Sequence, residues 1–87
     1  MKPSIRLELV AELRAMQADG KRASALLRFL AARGLSTVEM MDHFGAAFAL
    51  DSHGVSPIGG WFADGSGELD DGAINALLDT AIREQQG

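Results

Sequence analysis

The chain has 87 residues and no cysteine, and its formal net charge of −4 at pH 7 hides a basic first third and an acidic remainder. At this length it builds one small domain, and without thiols it has no disulfide, thiolate metal centre or cysteine nucleophile, a composition that fits a cytoplasmic setting. No apolar run reaches the ~20 residues of a membrane span, and the start, MKPSIRLELVAELRAM, lacks a signal peptide's apolar stretch, so no membrane association is expected.

The first helix is expected over about residues 4–18, capped by Ser4 and stopped before Gly20. Ile5, Leu9, Leu13 and Met16 share one face at helical spacing. Ile5-Arg6-Leu7-Glu8-Leu9 also alternates in the manner of a strand, but the continuation AELRAMQA is rich in helix formers and favours the helix. Leu7 and Val10 fall off the main face, either as a second buried side or as part of a contact surface. The second helix covers about 21–33. Ala23, Leu26, Leu27, Leu30 and Ala31 form its apolar stripe, Lys21, Arg28 and Ala32 lie opposite, and Gly34 is its left-handed stop.

The third helix, about 36–50, opens on Ser36-Thr37-Val38-Glu39, a capping box in which Ser36 and Glu39 each satisfy the other's backbone amide. Leu35 and Met40 flank it as a hydrophobic staple, and Met40, Met41, Phe44, Ala47 and Phe48 face the core. Residues 51–69, DSHGVSPIGGWFADGSGEL, read as a long glycine-rich loop. A structureless stretch of this length is unusual in a small domain. Val55, Ile58, Trp61 and Phe62 are costly to leave in water, so the loop should fold back onto the helices, with a short helical turn fitting near Asp51 to Val55. The fourth helix, about 71–85, has Asp70 as cap and Leu69 with Ile74 as staple. Ile74, Leu77, Leu78, Ala81 and Ile82 make its apolar face, and Asp79 and Arg83 are spaced to pair on the exposed side. The expected fold is therefore all-α. It is a four-helix bundle in a single domain, 1–87, with a long Gly-rich loop between the third and fourth helices.

Asp64-Gly65-Ser66-Gly67-Glu68-Leu69-Asp70 is similar to the third through ninth positions of an EF-hand calcium loop. Asp64 and Ser66 would offer oxygens, Gly67 the turn, Leu69 the apolar plug, and Asp70 a ligand through water. The first position of that loop is Phe62 and the last is Ala73, so the ligands that close the calcium cage are missing. The same letters read as turn dipeptides followed by a helix start that favours negative charge. A degenerate calcium loop is kept as an alternative, while no metal or cofactor is expected.

Other chemistry is thin. His43 lies one turn after Glu39 and reads as a boundary histidine with an acidic neighbour. His53 sits in the loop, and neither histidine has a third ligand at metal-like spacing. Gly54-Val55-Ser56-Pro57-Ile58-Gly59 departs from a nucleophile elbow and lacks the sheet such an elbow needs, and Gly59-Gly60 is not followed by the Lys-Ser or Lys-Thr of a phosphate loop. An enzyme is not expected. Residues 30–38 have a helix-turn-helix outline, and a DNA-binding regulator is a second alternative. Its reading helix, however, offers Glu39 and Asp42 with no Lys or Arg to meet phosphate.

Charge carries what functional signal remains. Lys2, Arg6, Arg14, Lys21, Arg22, Arg28 and Arg33 stand against Glu8, Glu12 and Asp19 in residues 1–33, whereas residues 34–87 hold nine acidic residues and only Arg83. Such asymmetry speaks of partners. The expected role is non-catalytic protein binding through an acidic surface of Asp51, Asp64, Glu68, Asp70, Asp71 and Asp79. Trp61 and Phe62 are either its apolar anchors or simply core residues. In size, acidity and lack of catalytic motifs the whole chain resembles the small cytoplasmic immunity proteins of bacterial toxin–immunity pairs. That resemblance implies a basic partner, often a nuclease domain whose cleft binds polyanions, with the carboxylates taking the place of phosphates.

Overall fold

Capping and turn residues set most of the helix ends in this chain. The structure is a computed structural model that describes residues 5–86. Its elements are α1 (Leu7–Ala18), α2 (Ala23–Ala32), α3 (Thr37–Phe48), α4 (Ser52–Val55), a 3-10 helix (Ser56–Gly60) and α5 (Asp71–Gln86). The chain is all-helical, and no strand occurs among the described residues. No helix among them is long and apolar enough to cross a membrane.

The N-terminal helix starts later than the sequence suggests. Ser4, the expected cap, lies outside the described residues. Arg6 holds the cap position in an extended conformation (φ −88°, ψ 108°), and its N–H donates to Nε2 of His43 at 3.0 Å. That long-range bond keeps Ile5 off the helix, so the expected stripe begins at Leu9. Leu9, Val10 and Leu13 are buried and Met16 partly so, while Leu7 is 76% exposed. The two off-face residues therefore part company, Val10 joining the core and Leu7 facing solvent.

α2 is shorter than expected at both ends but keeps its stripe, with Ala23, Leu26, Leu27 and Leu30 buried. Gly34 ends the turn after it at φ +82°, a region open to glycine at no steric cost. α3 has both bonds of its capping box: the Glu39 N–H donates to Ser36 Oγ at 3.2 Å, and the Ser36 N–H donates to Glu39 Oε1 at 2.8 Å. Those bonds hold the Glu39 carboxyl below the usual carboxylate range. Leu35 and Met40 are both buried, as a staple requires. The helix ends on Ala49, which takes the left-handed conformation (φ 57°, ψ 38°) usually left to glycine.

The segment expected as one long loop is helical over residues 52–60. Asp51 Oδ1 accepts the Gly54 N–H at 2.8 Å and starts α4, and Pro57, with its φ already fixed, sits in the first turn of the 3-10 helix. Helical turns place Val55 and Ile58 on one buried face, three residues apart. Irregular backbone is thereby confined to residues 61–70.

The core is contributed by every element. Leu13, Leu26, Leu27, Leu30, Phe44, Ile58, Trp61, Ile74 and Leu78 are fully buried. Phe44 and Phe48 stack at a tilt, centroids 4.9 Å apart. α1 packs chiefly on α3, and α2 on α5. α5 buries a narrower stripe than expected, Ile74, Leu78 and Ile82, and leaves Leu77 47% exposed. The anticipated Asp79–Arg83 pair does not form: Arg83 donates to Thr80 Oγ1 at 3.2 Å, and Asp79 turns to α2.

Candidate functional site

Residues 61–70 leave the 3-10 helix and return to the start of α5 as a closed loop. Its neck is a backbone bond from the Leu69 N–H to the Gly60 carbonyl oxygen, 2.9 Å. Gly67 lies against that neck, where a Cβ would collide with the Gly60 carbonyl oxygen and sit 2.9 Å from the Phe62 nitrogen. At the tip, the Gly65 N–H donates to the Phe62 carbonyl oxygen at 3.0 Å. Asp64 Oδ1 accepts from both the N–H and the hydroxyl of Ser66, at 2.9 and 2.7 Å. The Ser66 hydroxyl does most to hold the Asp64 carboxyl below its ordinary range.

A guanidinium from α2 fastens this loop. Arg28 Nη1 donates to the Ala63 carbonyl oxygen at 3.0 Å, and Nη2 donates to both Asp71 oxygens at 3.0 and 2.9 Å. Its central carbon lies 5.4 Å from the centroid of the Trp61 ring, within cation–π range. Trp61 is buried, and its Nε1–H donates to Asp71 Oδ1 at 2.9 Å. The Trp61 bond first, and Arg28 second, hold the Asp71 carboxyl below the usual carboxylate range. Asp70 caps α5 as expected, its Oδ1 accepting the Ala73 N–H at 2.8 Å.

The expected surface residues therefore separate by task. Trp61, Phe62, Asp70 and Asp71 come together with Arg28 and Leu69 along a shallow groove of about 410 Å3, while Asp64 and Glu68 are exposed on the same loop without lining it. Trp61 is a core residue and not an exposed anchor, because its ring lies beneath Arg28 and its polar edge is taken by Asp71. Phe62, expected to fold inward with it, is 45% exposed. Asp71 is engaged by Arg28, so it is part of the fastening rather than an open charge. Asp51 lies elsewhere, at the start of α4. Asp79 is occupied on α2, where Oδ2 takes Arg22 Nε at 2.7 Å and Oδ1 takes the Ala23 N–H at 3.1 Å.

The residues behind the other chemical readings are engaged locally. The Asp64 and Asp70 oxygens that an EF-hand would aim at calcium bond to Ser66 and Ala73. Among the described residues, no three His, Cys, Asp or Glu side chains come together in a way that could hold a metal. The Ser56 hydroxyl donates to the His53 carbonyl oxygen at 2.8 Å, a turn contact. His43 is buried rather than at a boundary. Its Nδ1 lies 2.7 Å from the Glu39 carbonyl oxygen and Nε2 accepts from Arg6, so the neutral Nδ1–H tautomer satisfies both. Several arginines of the basic first third are also engaged, Arg22 and Arg28 by Asp79 and Asp71. Arg14 donates to the Ala47 and Ala46 carbonyl oxygens at the end of α3, and Arg33 stacks on Phe29 with its central carbon 4.8 Å from the centroid.

Sequence reasoning missed Arg28 as part of this site, and it read Gly67 as a turn residue without its close approach to Gly60. Gly67 carried a signal, a glycine between two polar residues, but the neighbour that demands it is seven residues away. No protein-family model, curated protein or solved structure matches this chain.

Proposed function

We propose that the chain is a non-catalytic protein-binding module that meets a basic partner through the loop 61–70, with Phe62 as apolar anchor and Asp64, Glu68 and Asp70 as the charges around it. One observation carries the reading: the loop is fastened at its neck and by Arg28, yet its outer side leaves Phe62 45% exposed. The exposed part of the ring contributes little to folding and is free to be buried by a partner. Rigid presentation removes much of the ordering cost of association, and an aromatic anchor ringed by charge is a common interface plan. Charge supports the same reading. The two ion pairs among the described residues take Asp71 and Asp79, and neither Asp64 nor Glu68 is paired with a cation there.

A partner with a cationic cleft fits this surface best. The likeness to immunity proteins suggests a toxin domain of nuclease type, neutralised in the bacterial cytoplasm by carboxylates standing where phosphates bind. In this reading α1, α2, α3 and α5 act as a four-helix bundle and the glycine-rich segment as its binding appendage. The test is affinity capture from bacterial cells with the tagged chain, followed by titration of the captured protein. Phe62→Ala should cost on the order of 2 kcal/mol of binding, and Asp64→Asn with Glu68→Gln should slow association, most visibly at low salt. Binding unaltered in both variants would overturn the reading.

A further inference from the structure

A second surface stands apart from the loop. Between α3 and the turn into α4 lies a groove of about 450 Å3, lined by the apolar side chains of Val38, Met41, Leu50 and Val55 and by the carboxylates of Asp42 and Asp51. Val38 is 62% exposed. The fold does not ask for it there, because a β-branched residue is a weaker helix former than the polar residues usual on a solvent face. Met41 and Leu50 are packed against the core by one side and remain partly open on the other. The groove thus has an apolar floor and an anionic edge.

No lysine or arginine lines it. Asp51 caps α4 with one oxygen, and among the described residues neither it nor Asp42 forms an ion pair. Leu50 and Asp51 also line a second depression, between α4 and the end of α5, where Glu84 adds a further carboxylate beside His53, again with no lysine or arginine in the lining.

We infer that this groove docks a basic amphipathic segment of another protein. Apolar side chains at helical spacing would cover Val38, Met41 and Leu50, and flanking lysines or arginines would meet Asp42, Asp51 and Glu84. A purely apolar occupant would desolvate those carboxylates without compensation. A polyanion is repelled by them, and a second copy docking through its basic first third is told apart by the mass measured without peptide. The surface shares no residue with the loop 61–70, so it stands or falls separately from that loop's proposed role.

The test is an NMR titration of the whole chain with a synthetic helical peptide of leucine and lysine, beside the same peptide with glutamate in place of lysine. The lysine peptide should shift the methyl signals of Val38, Met41 and Leu50, and the glutamate peptide should shift none of them. Asp42→Asn with Asp51→Asn should weaken binding about tenfold or more. Asparagine retains the α4 cap, so this variant stays folded. Val38→Lys, at an exposed position, should weaken binding as well. Shifts centred on Phe62, equal response to both peptides, unchanged affinity in the asparagine variant, or mass doubling without peptide would each overturn the inference.

Discussion

Asp79 of α5 caps the first turn of α2 from across the domain, its Oδ1 accepting the Ala23 N–H at 3.1 Å. The helix has no cap of its own, because Arg22 stands at the cap position and offers no acceptor. Asn75, one turn earlier on α5, accepts the next amide, Ser24 N–H, at 2.7 Å. Two orphan donors that a helix normally satisfies locally are thus satisfied by a second helix. Asp79→Ala should destabilise the protein by about 1–2 kcal/mol. Asp79→Asn retains an acceptor and loses only the pair with Arg22, whose side chain is 65% exposed, so it should cost at most about 1 kcal/mol. Urea denaturation of both variants checks this, and equal losses would show that the cap contributes nothing.

Asp71 sets a pH dependence. Trp61 and Arg28 both favour its charged form, so its pKa is depressed in the folded state. Its contribution to stability is therefore fully present above the ordinary carboxylate range and disappears as pH falls through the depressed value. A carboxyl NMR titration should place Asp71 below its ordinary range. Trp61→Phe and Arg28→Met should each raise the value, because each removes a group that favours the charged form. No change in one of the variants would remove that group as a cause.

Two glycines close together in sequence should respond in opposite ways to alanine. Gly67→Ala forces a Cβ into the Gly60 carbonyl and the Phe62 nitrogen, and the backbone must move. The cost should be about 1–3 kcal/mol, with Trp61 fluorescence shifting to the red as the loop opens. Gly59→Ala meets no atom within 4 Å at an ordinary φ, and should be neutral or slightly stabilising. Thermal melts of the pair decide it, because similar losses in both would mean that the neck is not what Gly67 protects.

Ala49 carries the positive φ that glycine adopts freely. Relief of that conformation outweighs the greater entropy of an unfolded glycine. Ala49→Gly should stabilise the protein by about 0.5–1 kcal/mol, read as a higher urea midpoint with an unchanged slope. A lower midpoint would show that the turn carries no strain.

Local signals were legible in the sequence and distant ones were not. The capping box of α3 and the Asp70 cap of α5 each lie within four residues, so letters alone reveal them. The start of α1 depends on His43, and the cap of α2 on Asp79 and Asn75, groups that become neighbours only after folding. Trp61 and Phe62 show the same limit at one site. Both are large, apolar and adjacent, and an irregular segment has no period to say which points inward. The carboxylates of the candidate surface could be named from the sequence, but which of them face a guanidinium could not, because Arg22 and Arg28 arrive from another helix.

The Arg28 guanidinium has one more consequence. It joins Ala63, Trp61 and Asp71 to the middle of α2, which predicts that the segment with the loosest composition opens together with the helices. Amide exchange at the Leu69 N–H should then be as slow as in α2. A partner of the kind proposed would meet a loop already tied to α2, and by holding Phe62 it would tighten the entire domain.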